Sequence, residues 1–214
     1  TVTVSVQVTD STGMVATDTA TVTVANVAPL VNAPVVSVEP SVEGKKVTAT
    51  ASFTDPGVDD GPFTCTVDYG AGSGPLAGTV SGNTCTGPAY AYKNYGTYTV
   101  TVAVTDADGG VGANSVEHKV IFDFHGYILP IVDPPFFNLA RANSTFPVVF
   151  KLGGNKGLNI FEGGTPMVQR ISCVTGQPLN TPAVAASGRL SYSRFTGLYT
   201  FAWKTNKAWA GTCQ

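Results

Sequence analysis

Thr97-Tyr98-Thr99-Val100-Thr101-Val102-Ala103-Val104-Thr105-Asp106 is the stretch on which the fold turns. Small apolar residues recur at every second position with threonine between them, a period of two that sends one set of side chains to a core and the other to water. That pattern predicts a β-strand, and Ala107-Asp108-Gly109-Gly110 follows it as a turn cluster. The same text opens the chain: Val2, Val4, Val6 and Val8 alternate with Thr3, Ser5 and Gln7, Asp10-Ser11-Thr12-Gly13 makes a turn, and residues 19–24 alternate again. Thr1 to Gly13 therefore aligns with Thr97 to Gly109 at an offset of 96.

Residues 1–24 thus read as a β-hairpin, and an isolated hairpin is marginal in water, so its apolar face needs a partner sheet. Self-similarity marks a tandem array, and a spacing near 100 residues suits a whole immunoglobulin-like sandwich better than one turn of a solenoid. Between the copies, residues 28–34 form a Pro-containing linker, and strand-like runs follow at 35–38, 46–53, 64–69 and 76–80. Turns such as Asp55-Pro56-Gly57 and Asp59-Asp60-Gly61 separate them. No segment holds a helical period, so the chain is predicted to be all-β: tandem Ig-like antiparallel β-sandwiches. Near Phe122 the texture turns aromatic and Pro-rich, which places a module boundary there. The reading is residues 1–27 as the final hairpin of a preceding module or a donor hairpin, 28–121 as a sandwich, and 122–214 as a second β-rich module. Strands in the last are expected at 145–152, 169–174, 190–192 and 198–205.

Composition narrows the function. Charged residues are 12% of the 214, about half the usual ~25%, while 43% are hydrophobic and no charge block appears, so the chain folds. A net charge of −2 without a Lys/Arg cluster argues against nucleic acid, whose phosphates demand a basic surface. No apolar run approaches the ~20 residues of a membrane-spanning helix, and two His with four scattered Cys give no zinc spacing. The Thr-Val-Thr-Val start has no leader pattern, which is the expectation for an excised or processed piece of something longer. Four Cys predict disulfides and an oxidising, extracellular setting. Cys65 with Cys85 and Cys173 with Cys213 is the simplest of the three connectivities, and free buried thiols are the alternative.

Candidate chemistry is sparse. Asp55, Asp59, Asp106 and Asp108, with Asp60 beside them, sit in loops, where hard oxygen ligands suit Ca²⁺ and where Asp equally serves as a turn former. Calcium is the one cofactor considered. His118 lies on an alternating strand between Glu117 and Lys119 and is expected to face solvent, and His125 is expected to pack or hydrogen-bond in the aromatic junction. No nucleophile-elbow pattern and no distinctive carboxylate pair appear, so the chain is expected not to be an enzyme. Tyr90, Tyr92, Tyr95 and Tyr98 suit either sugar stacking or a sandwich core, and Phe136, Phe137, Trp203 and Trp209 are expected in a core or junction.

Phe53-Thr54-Asp55-Pro56-Gly57, Cys65-Thr66-Val67-Asp68-Tyr69-Gly70-Ala71-Gly72 and Tyr95-Gly96-Thr97-Tyr98-Thr99-Val100-Thr101-Val102 resemble the PKD domain of extracellular proteins. The family's tryptophan-glycine-aspartate-glycine turn stands here as Tyr69-Gly70-Ala71-Gly72, and Ala91 replaces its histidine. Residues 122–214 resemble the PxKF module of bacterial surface proteins through Phe124-His125-Gly126-Tyr127, Pro147-Val148-Val149-Phe150-Lys151-Leu152 and the run from Trp203 to Cys213, with Val149 at the naming lysine. These resemblances imply an extracellular, cell-surface structural or adhesive protein. Members of the second family continue past this Cys with about two more strands. One expectation is therefore that the hairpin, through Val2, Val4, Val6, Val8, Val22 and Val24, completes the C-terminal module of a neighbouring copy and builds a head-to-tail filament. The other is that the missing parts belong to a longer chain. Expected partners are the chain itself, other surface proteins or a polysaccharide. An accessory polysaccharide- or protein-binding module of a secreted hydrolase is the alternative function.

Overall fold

The structure is a computed structural model of the 214-residue chain and describes residues 1–57, 60–133 and 135–213. The chain is all-β and divides into two compact units, Thr1–Val120 and Ile121–Gln214. Among the described residues the helical content is one 3₁₀ turn, Lys207–Trp209, whose first N–H groups are capped by Asn206.

The first unit begins with β1 (Val2–Thr9) and β2 (Val15–Val22), which pair antiparallel from Val2↔Val22 to Thr9↔Val15 as a separate two-stranded sheet. Every residue of both strands is exposed. The alternation that builds these strands therefore buries neither face.

The rest of the unit is a sandwich. Its strands are β3 (Leu30–Val31), β4 (Val35–Val36), β5 (Ser41–Val42), β6 (Lys46–Val47), β7 (Ala49–Thr54), β8 (Thr64–Asp68), β9 (Leu76–Ala77), β10 (Thr79–Ser81), β11 (Thr84–Thr86), β12 (Tyr90–Ala91), β13 (Gly96–Thr105) and β14 (Val111–Ile121). One sheet runs β10-β11-β7-β3 with β4 also on β7, the other runs β5-β14-β13-β8-β9, and β12 pairs with β6. Ala49, Ala51 and Phe53 of β7 are buried while Thr50, Ser52 and Thr54 are not, and Val100, Val102 and Val104 of β13 are buried in the same alternating way. These faces meet in one core with Val67, Tyr69 and Tyr92. Burying each such valine stabilises by roughly 1.5–3 kcal/mol, which is what fixes the register of the central strands. Cys65 on β8 bonds Cys85 on β11, so the disulfide ties the two sheets together through the core.

The second unit carries β15 (Phe124–Ile128), β16 (Thr145–Leu152), β17 (Met167–Val168), β18 (Val184–Ala185), β19 (Gly188–Ser193) and β20 (Leu198–Lys204). Four of them make the sheet β15-β16-β20-β19, and β17 pairs with β18. The strand expected at 169–174 is absent. Residues 172–177 instead close a turn, with Ser172 N–H donating to the Gln177 carbonyl and Gly176 N–H donating to the Ser172 carbonyl, and Ile171 makes isolated bridges to Pro178 and Cys213. Cys173 bonds Cys213 across this region. The register places Phe146 opposite Trp203, Val148 opposite Phe201 and Phe150 opposite Tyr199, so one face of the sheet is a continuous apolar row. Phe161 and Ile160 pack on the half holding Phe150, Leu152 and Tyr199. The other half of that face opens into a groove.

Candidate functional site

The hairpin is a structural copy of β13–β14. Val2↔Val22, Val4↔Ala20, Val6↔Asp18 and Val8↔Ala16 map, each residue moved by 96, onto the observed pairs Tyr98↔His118, Val100↔Val116, Val102↔Asn114 and Val104↔Gly112. The turns agree in the backbone N–H groups that the Asp carboxylate accepts. Asp10 Oδ1 accepts from the N–H of Thr12 (2.8 Å) and Met14 (2.9 Å), as Asp106 Oδ1 accepts from Asp108 (3.0 Å) and Gly110 (2.7 Å). Gly13 at φ +83° and Gly109 at φ +87° supply the left-handed residue that this turn requires. The contrast lies in burial: Val100, Val102 and Val104 are 0% exposed, whereas Val4, Val6 and Val8 are 49%, 59% and 63% exposed. Val2, Val22 and Val24 are exposed as well. A core-forming face therefore stands bare.

Beside the β13–β14 turn lies an acidic group. Carboxylate oxygens of Asp55, Asp60 and Asp106 lie within 4.8 Å of one another. Of the residues proposed from sequence as calcium ligands, Asp55 and Asp106 belong to this group, Asp60 joins them, and Asp59 lies outside the described residues. Asp108 does not belong: it gives its backbone N–H to Asp106 and thereby helps to form the turn. Three carboxylates supply part of the six to eight oxygens that Ca²⁺ takes. The hydrogen bond from Asn26 (2.9 Å), followed by those from the turn amides, lowers the Asp106 pKa below the usual carboxylate range. Burial first, and the Asp55 charge second, raise that of Asp60. A carboxyl whose folded pKa is raised is penalised above its unfolded value and relieved as pH falls. Asp60→Asn is accordingly expected to raise the melting temperature at pH 7 and to leave it unchanged at pH 3, as read by paired calorimetric scans.

His118 is placed differently from expectation. It is fully buried, because Val116 and Val120 at i±2 turn that side of β14 to the core and carry His118 with them. Ser41 Oγ lies 2.7 Å from His118 Nε2, the Glu39 carboxylate contacts Nδ1, and the other Glu39 oxygen accepts the Lys119 N–H. A Ser-His-Glu chain has the order of a hydrolytic relay, yet Ser41 and His118 have no exposed surface, so the hydroxyl is closed to a substrate. Its work here is to pin the segment carrying β5 against β14. Of the two roles expected of His125 the structure shows the polar one: its side chain is 49% exposed and its Nε2 lies 3.0 Å from Asp123.

Tyr69 and Tyr92 belong to the core, Tyr90 and Tyr98 pack against it, and Tyr95 is 42% exposed. Tyr69 stacks on Tyr90 at 4.6 Å and Tyr92 meets both edge-on, while burial pushes the Tyr92 hydroxyl well above its ordinary pKa. In the second unit Phe136 and Phe137, expected in a core or junction, are 72% and 52% exposed. They line the open groove of about 940 Å³ with Phe146, Val148, Trp203 and Trp209. Trp203 Nε1 is buried there without a hydrogen-bond partner among the described residues. Apolar and aromatic residues at alternate positions 146, 148 and 150 of β16 and 199, 201 and 203 of β20 are the sequence signal for this face, and only the loop course leaves half of it uncovered.

Comparison with known proteins gives one family. Residues 26–120 match the model of the PKD domain, a span that starts at the Asn26 bonded to Asp106. The PKD1 domain of Vibrio anguillarum Epp is similar over 45% of this chain and 96% of its own, at 24% identity and a TM-score of 0.33. An I-band fragment of titin is similar over 84% of this chain and 56% of its own (14% identity, TM-score 0.32), and a chimeric titin Z1Z2 carrying a decorin peptide over 84% of each (13%, 0.31). No curated protein matches the chain.

Proposed function

We propose that this chain, whose residues 26–120 are a PKD domain, is a structural or adhesive component of a bacterial cell surface, joined to its neighbours by strand complementation through β1–β2. PKD domains are typical of bacterial extracellular and surface proteins, and two disulfides suit an oxidising exterior. The observation that carries the reading is the bare valine face of a hairpin whose copy in the same chain buries the equivalent Val100, Val102 and Val104. A two-stranded ribbon of that composition gains little by itself and gains a core when another sheet covers it. Residues 121–214 fit the role as a PxKF-type module through the Trp203 to Cys213 run.

Sedimentation of the full chain across a concentration series tests this. Concentration-dependent assemblies that vanish when residues 1–24 are deleted are the expected result, and assemblies unchanged by the deletion would overturn it. The aromatic groove of the second unit favours one other reading, an accessory module that holds a secreted hydrolase on a polysaccharide or protein. Saturable binding of the monomer to chitin, cellulose or collagen, lost in Trp209→Ala, would select it.

A further inference from the structure

The strand-complementation reading leaves the partner of the hairpin open, and the duplicated register identifies it. In the PKD domain, β13 and β14 present Val100, Val102, Val104, His118 and Val120 to the core shared with the opposing β10-β11-β7-β3 sheet. The hairpin presents Val4, Val6, Val8 and Val22 at the equivalent positions with the same pairing and the same Asp-closed turn, and Val24, just past β2, aligns with Val120. We infer that β1–β2 is the closing hairpin of a second PKD-type sandwich, and that its partner is the apolar face of a sheet equivalent to β10-β11-β7-β3, supplied from outside residues 1–214. The inference rests on the hairpin being a joining element and specifies what it joins. The established interface between the two sheets of residues 26–120 is the template, since a face built to the same register fits the same kind of sheet.

Two departures describe how that partner differs. A Cβ added at Gly112 would lie 1.7 Å from the Pro29 carbonyl oxygen, and one at Gly110 would lie 2.7 Å from Asn26 Nδ2 and 3.1 Å from Ala28 Cα. The hairpin has Ala16 and Met14 at these two places. The segment leading into the partner sandwich therefore stands farther from β2 than residues 26–29 stand from β14. The second departure is Val22 at the position of His118, which removes any need for counterparts of Ser41 and Glu39. The partner surface facing Val22 is apolar.

The offset makes the test direct, because Thr1 aligns with Thr97, the residue that follows Gly96. Residues 26–96, carrying Ser41→Ala, are fused ahead of Thr1 of the full chain, once with Met14 and Ala16 retained and once with Met14→Gly and Ala16→Gly. A Val6→Cys substitution reports burial through its rate of maleimide labelling, and hydrogen exchange of the β1–β2 amides gives an independent reading. The expected result is labelling slowed at least ~100-fold in the glycine version, a smaller slowing with Met14 and Ala16, and slow exchange in both strands, as for residues held in a core. Labelling and exchange as fast as in the unfused chain, in both versions, would overturn the inference. So would an unfused chain that protects the same thiol at high concentration, which would make a second copy the partner while leaving the joining role intact. Fused protection with an unfused chain that stays monomeric upholds the PKD-type partner and removes the intermolecular joint.

Discussion

His118→Val is expected to cost the first unit about 2–3 kcal/mol, the scale of leaving buried polar groups without their partner. The substitution removes the acceptor or donor that Ser41 Oγ meets at 2.7 Å and the ring nitrogen that holds Glu39, while Ser41 stays fully buried. Adding Ser41→Ala should restore part of the loss, because the hydroxyl that lacked a partner is gone. A double-mutant cycle by urea denaturation would therefore give a coupling of more than about 1 kcal/mol. Additive losses would mean that His118 contributes by filling space alone. The hairpin offers a natural comparison, since Val22 already occupies the equivalent position there.

The second large effect is expected from Cys173→Ala with Cys213→Ala. Closing a separation of 40 residues restricts the unfolded chain by about 4 kcal/mol, against about 3 kcal/mol for the separation of 20 from Cys65 to Cys85. The fully and nearly buried cluster of the second unit is Phe150, Leu152 and Tyr199, whereas the first unit buries a continuous set from Val31 to Val120. The same order of loss therefore falls on a unit with less core to absorb it. Limited trypsin digestion at 37 °C should cut the variant at Arg170, Arg189 and Lys204 while leaving residues 26–120 intact. Resistance of all three sites equal to that of the unsubstituted chain would show that the sheet stands without the bond.

Much of the first unit was legible because its two signals agree. Alternation specifies β13, and the repetition at offset 96 marks β1 and its turn as the same object. The turn chemistry of Asp10 and Asp106 was legible for the same reason. His118 was misread because its charged neighbours Glu117 and Lys119 drew attention, although the valines at i±2 determine its side of the strand. Asp108 stands outside the Asp55, Asp60 and Asp106 group, and its backbone N–H closes the turn, the other role a loop aspartate offers in the sequence. The second unit was less legible: the apolar residues at 171 and 174 read as strand, while Thr175-Gly176-Gln177-Pro178 folds the chain back too soon. Which half of its sheet face stays open depends on where residues 131–142 and 171–176 travel, and local pattern does not encode that.

The disulfide between the two sheets also sets how far this chain can stretch. A tether pulled from its ends unravels by releasing stored contour, at about 3.5 Å for each residue freed. The sequence separation of 20 from Cys65 to Cys85, about 70 Å of contour, stays locked while that bond is oxidised, and the separation of 40 from Cys173 to Cys213 withholds about 140 Å more. An oxidised molecule is thus a short leash and a reduced one a long leash, with the redox state of the surroundings acting as its length adjustment.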